Sequence, residues 1–155
     1  LFGGGELYYR QLDELSITVL TARTLRDEDW RVCLDGAHAV WRKLGRPPMV
    51  GIIFCLHAFP SARQRQMSNE FMAQHYQRPM LRVAIMTDRA IMRTAMTAMR
   101  WVIPQLTLRA FEPTQIAPAT QWLREVGTFD VPSVVEAWSD ALAKLGIRLA
   151  AGKGA

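Results

Sequence analysis

Lysine, cysteine and histidine are all scarce in this chain, and each scarcity closes off a class of function. Lysine occurs only at Lys43, Lys144 and Lys153, so arginine carries the net charge of +5. Those arginines are scattered and many stand beside carboxylates, as in Arg26-Asp27-Glu28-Asp29. A nucleic-acid surface needs a basic stripe or an arginine–aromatic run, so nucleic acid is not an expected partner. The two cysteines, Cys33 and Cys55, have no CxxC or Cys/His spacing, and the three histidines form no ligand pattern. No metal and no cofactor is therefore expected. Two distant thiols fit a reducing, cytoplasmic setting. The longest apolar run, Met49 to Leu56, is too short to span a bilayer, and no signal-peptide pattern is visible. There is no P-loop and no GxGxxG; Gly3-Gly4-Gly5 follows no strand. Paired carboxylates at catalytic spacing are missing too. Asp27, Glu28 and Asp29 crowd a helix start, where compensating the helix dipole accounts for them.

What is present suits one folded domain. The chain has 155 residues, of which 50% are hydrophobic and 21% charged, enough apolar material for one core between layers. Leu7–Leu12 and Ser16–Thr21 are short and apolar-rich, with Asp13-Glu14 between them, and read as a hairpin. Thr24 to Asp27 resembles a capping box. Trp30, Cys33, Leu34, Ala37, Val40, Trp41 and Leu44 then recur at helical spacing, and Gly45 with Pro47-Pro48 ends that helix. The run 49–56 reads as a strand buried on both faces. Ser61–Gln77 reads as a helix with one exposed side, Leu81–Met86 as a strand, and Thr87-Asp88 as the cap of a helix carrying Ile91, Met92, Met96 and Met99. Leu106–Phe111 is the next strand and Thr114–Glu125 the next helix, closed by Gly127. After Pro132, the stripe Val134, Val135, Trp138, Ala141, Leu142 and Leu145 forms a last helix. Strands alternating with single helices imply an α/β fold: one mixed, mostly parallel sheet with packed helices and an extra C-terminal helix. The expectation is parallel pairing of 49–56, 81–86 and 106–111, with 49–56 central.

These residues resemble a family. Arg82-Val-Ala-Ile-Met-Thr-Asp88, Arg93 to Trp101, Leu108-Arg-Ala-Phe111 and Ala119-Thr-Gln-Trp-Leu123 look like the SpoIIAA-like branch of the STAS superfamily. The resemblance spans residues 6–126, an α/β domain; outside it, periodicity gives a C-terminal amphipathic helix at 131–149 and the small-residue composition a disordered tail at 150–155. It implies a four- or five-stranded mixed sheet and no single activity. Members act as switch proteins that bind partners or as transporter modules, and lipid binding has been suggested for the family. In the antagonists a serine is phosphorylated at the start of the helix after the central strand, in an Asp-Ser-Ser-Gly-like motif. The matching stretch is Leu56-His-Ala-Phe-Pro-Ser61, which keeps a serine and lacks the aspartate and glycine.

Ser61 is thus the leading candidate, with His57, Arg63 and Arg65 around it. Ser61-Ala-Arg-Gln64 is itself a capping box, a structural role that needs no function. The same geometry, with free amides at a helix start and nearby arginines, suits an anion or a phosphoserine. A triad of His57, Ser61 and Asp88 is rejected because the G-x-S-x-G elbow is missing. His38 and His75 fall inside helices and read as partly buried or solvated side chains rather than ligands. The methionine stripe and the tryptophans read as core filling; the alternative is an adaptable apolar surface. Val134, Trp138 and Leu142 are a candidate partner surface through which two copies could form a homodimer. The leading functional reading is a non-enzymatic regulatory or protein-interaction module with an unidentified protein partner. The runner-up is a carrier of a small apolar ligand or lipid with a pocket between sheet and helices, and a small hydrolase or transferase comes third.

Overall fold

The chain first reverses at Asp13–Glu14, a two-residue loop in which Asp13 takes a left-handed φ of 47°. Aspartate tolerates that region better than most residues because its short side chain bonds locally. The turn sets β1 (Leu7–Leu12) antiparallel to β2 (Leu15–Leu20), with Leu12 opposite Leu15. That register sends Leu15, Ile17 and Val19 to one face. The computed structural model describes residues 7–21, 26–45, 50–55, 61–75, 81–87 and 106–149. The helix expected after Asp88, with Met92, Met96 and Met99, lies outside the described residues, as do His57, Asp88 and the tail from 150.

Three more strands follow: β3 (Val50–Cys55), β4 (Leu81–Met86) and β5 (Leu106–Phe111). The sheet has five strands in the order β1-β2-β3-β4-β5. Pairing is parallel from β2 through β5, and β3 is central, as its continuous apolar run requires. The described helices are α1 (Asp27–Leu44), α2 (Ala62–His75), α3 (Ile116–Arg124) and α4 (Val131–Lys144). Gly45 ends α1 with φ 68°, a left-handed position open to glycine at no steric cost. Among the described residues no helix is long and apolar enough to cross a membrane.

Side chains alternate across the strands, so the sheet has two apolar faces. One carries Ile17, Val19, Ile52, Phe54, Met86 and Phe111, and packs against Ala119 and Leu123 of α3 and Val134, Ala137, Trp138 and Ala141 of α4. On the other, Leu7, Leu20 and Ile53 meet Trp30 and Cys33 of α1, while Val83 and Ile85 pack with Leu108.

The C-terminal helix departs from expectation. Val134 and Trp138 are not a surface: they are 0% and 3% exposed, and the Trp138 ring lies 5.6 Å from that of Phe54. Leu142 is half-buried against the same core. Of the apolar stripe that pointed to a homodimer, Val134, Trp138 and Ala141 are buried within the chain and Leu142 and Leu145 pack on the same core, while Val135 stays exposed; α4 packs on the sheet of its own chain. The hairpin explains the room for it. β1 widens the sheet by one strand, and α4 lies over β1 and β2. Tyr8 of β1 donates its hydroxyl to Asp140 Oδ2 at 3.2 Å, and Lys144 Nζ lies 2.8 Å from the same oxygen. The stretch from Gly127 to Asp130 is pinned at several points. Phe129 is buried, Thr128 N donates to Glu14 Oε2 at 2.9 Å, and Asp130 Oδ2 caps α4 by accepting from Ser133 N at 2.9 Å.

Candidate functional site

Helix α2 begins just past the carboxyl end of the central strand, where open parallel sheets present their ligands. Its first turn is held by a reciprocal cap. Gln64 N donates to Ser61 Oγ at 3.1 Å, and Ser61 N donates to Gln64 Oε1 at 3.0 Å. Two amides that a helix start leaves unpaired are thereby satisfied, as the spacing of serine and glutamine requires. Arg65 N donates to Ser61 O at 2.9 Å and starts the helical ladder. Ser61 itself is exposed, so its hydroxyl is at once structurally engaged and reachable from solvent.

Gln64 does a second job. Its side chain is 1% exposed, and a buried amide must place its N–H groups on acceptors. Nε2 donates to Asp27 Oδ1 at 3.1 Å. Asp27 stands in the first turn of α1 and is joined there by Arg63, whose Nε lies 3.0 Å from Oδ2. The anion at this helix start is therefore the chain's own Asp27 carboxylate. Farther along the same seam, Trp30 Nε1 donates to Ser68 Oγ at 2.9 Å, and Ser68 Oγ donates to Gln64 O at 3.0 Å. The N-terminal ends of α1 and α2 are thus clasped by Asp27, Trp30, Arg63, Gln64 and Ser68, with Ser61 at the outer end.

The structure brings Ser61 and Arg63 into this clasp and starts Arg65 on the same turn, exposed; His57 is outside the described residues. Sequence reasoning missed Asp27 as a member, since at a helix start a carboxylate is already explained by the dipole. The signal that could have found it is Gln64. A capping glutamine uses its Oε1 on the backbone and leaves two N–H donors to be placed. Elsewhere, Cys33 of α1 packs toward Leu7 and Leu20 of the sheet, and burial, followed by the charge of Asp29, pushes its thiol up to about 12. Such a thiol is a poor nucleophile. Among the described residues no group of three or more His, Cys, Asp or Glu side chains could hold a metal ion.

A family model described as SpoIIAA-like matches residues 16–124, the stretch from β2 to the end of α3. No curated protein and no solved structure matches the chain.

Proposed function

The chain belongs to the SpoIIAA-like family, and from that premise we propose that it is a non-catalytic interaction module of STAS type, regulated by negative charge at Ser61. The observation that carries the proposal is the position of Ser61 in the clasp. Its hydroxyl caps Gln64, and Gln64 and Arg63 both reach Asp27 on the neighbouring helix. A phosphoryl group on Ser61 keeps an acceptor for the helix amides and adds close to two negative charges at pH 7. It competes with Asp27 for the Arg63 guanidinium and repels the carboxylate. The charge at Ser61 then sets how tightly α1 is held to α2, and that seam is the surface a protein partner reads. Arg65, three residues past the start of α2, adds a second cation to such a site. A reducing, cytoplasmic setting belongs to the same reading.

The test uses the full chain with phosphoserine installed at position 61. The reporter is the Trp30 indole N–H resonance, because that proton is given to Ser68 inside the clasp. Phosphorylation is expected to shift the Trp30 indole signal, and Asp27→Asn is expected to shift it the same way in unmodified protein. An indole resonance that ignores the phosphoryl group, while Asp27→Asn moves it, defeats the regulatory reading.

A further inference from the structure

Strand β5 ends the sheet: β4 pairs with one side of it, and no described strand lies beyond. Thr87 N donates to Phe111 O at 2.9 Å, so the Phe111 carbonyl turns inward toward β4. The lateral direction of backbone groups alternates along a strand, so Thr107, Arg109 and Phe111 spend theirs on the β4 ladder. Leu108 and Ala110 turn their N–H and C=O groups outward, and among the described residues nothing accepts or donates there.

Above this edge sits an arginine held by aromatic rings. Arg109 Cζ lies 5.1 Å from the Phe111 ring centroid and 6.0 Å from that of Trp122, and the two rings are 5.8 Å apart. Its neighbour Arg82 shares the Trp122 ring, with Cζ 5.2 Å from the centroid, but is spoken for. Arg82 Nη1 lies 2.6 Å from Glu125 Oε2 and donates to the Trp122 carbonyl at 3.0 Å. Arg109 has no carboxylate partner among the described residues, and it is exposed. Attraction to a ring face holds a guanidinium without neutralising it. The rings also remove rotamer freedom that a partner would otherwise have to freeze. On the opposite face of the same strand, Leu108 packs on Val83 and Ile85 but remains half-buried.

The geometry points to β5 as a docking edge for an extended segment of a partner protein in which acidic side chains alternate with apolar ones. Such a segment pairs its backbone with Leu108 and Ala110. Its acidic side chain falls beside Arg109, since directly opposed residues of neighbouring strands stand about 5 Å apart. Its apolar side chains fall on the other face and cover Leu108 and Ala110. A second copy of this chain is a poorer occupant, because self-pairing about Arg109 sets two guanidinium groups side by side. The edge shares no residue with the clasp around Ser61, so either reading can fail without the other.

The test is a titration of the full chain with a blocked pentapeptide of alternating valine and glutamate, and with the same peptide carrying lysine for glutamate. The readout is amide hydrogen exchange at Leu108 and Ala110. At about 1 mM glutamate peptide, exchange at both amides is expected to slow by about tenfold, as mass action requires when most sites are filled. The lysine peptide is expected to leave them unchanged. Arg109→Glu, at an exposed position, is expected to reverse the preference, with a circular dichroism spectrum that matches the parent. Three results overturn the proposal: no slowing with the glutamate peptide, equal slowing with both peptides, or protection that rises with protein concentration alone. The last assigns the edge to a second copy.

Discussion

Replacing Trp138 with alanine tests most directly whether α4 serves its own domain. The indole is 3% exposed and packs on Phe54 of the central strand. A tryptophan of this kind hides about 150–250 Å² from water, worth roughly 4–6 kcal/mol at 25 cal/mol per Å². Realistic unfolded chains already hide part of that area, which trims the figure by about 10–40%. The cavity left behind works the other way, and large aromatic-to-alanine changes in cores cost about 3–5 kcal/mol. We expect Trp138→Ala to lose about 3–5 kcal/mol, a large share of the roughly 5–15 kcal/mol that holds a domain together. The assay is urea unfolding followed by far-ultraviolet circular dichroism, beside Val135→Ser on the same helix. Val135 is 37% exposed and points away from the core, so its change should fall within about 0.5 kcal/mol. Sedimentation of both variants should match the parent. A Trp138→Ala protein that loses under about 1 kcal/mol while changing its sedimentation would refute the cis-docked helix and restore the dimer surface.

Other outcomes follow from the same geometry. Ser61→Ala removes the oxygen that accepts from Gln64 and is expected to cost about 1 kcal/mol by thermal unfolding, while Ser61→Asp, which also caps, keeps most of the stability; a neutral Ser61→Ala would mean that the cap contributes little. Asp130 is held below its ordinary value of 3.8 chiefly by the Ser133 hydroxyl and then by the Ser133 amide. A carboxylate lowered by folding stabilises above its ordinary value and loses that contribution as pH falls through the folded one. Stability should therefore decline below pH 3.8, and Asp130→Asn should flatten that part of the curve; an unchanged acid limb in the variant would contradict the assignment. Cys33 should resist iodoacetamide at pH 8 in native protein and react once urea unfolds it, as read by peptide mass mapping, because burial pushes its thiol to about 12. Rapid native labelling at Cys33 would show that α1 opens away from the sheet.

Local patterns decided much of this fold before any contact was known. The apolar run at 49–56 could satisfy its side chains only between two layers, and β3 is central. Asp13-Glu14 between two short apolar stretches meant a tight reversal, and Ser61 with Gln64 meant a helix start; both are spacing effects within a few residues. Single helices between strands required parallel crossovers, and β2 through β5 are parallel. What spacing could not decide is which partner a competent group meets across the chain. The stripe on α4 showed that the helix must dock, but cis and trans docking bury the same side chains. The choice fell to the width that β1 adds to the sheet and to the bond from Tyr8 to Asp140. Asp27 looked complete as a helix-start carboxylate, and only the approach of α1 to α2 put Gln64 and Arg63 on it. Arg82 and Arg109 are indistinguishable as sequence and both lie near the Trp122 ring, yet among the described residues Glu125 comes within reach of Arg82 and no carboxylate reaches Arg109. Hydrophobic periodicity is set by the backbone's own geometry and is legible in one dimension. The pairing of charges and the cover on an apolar face depend on distances between segments far apart in the chain, and those exist only after the layers have packed.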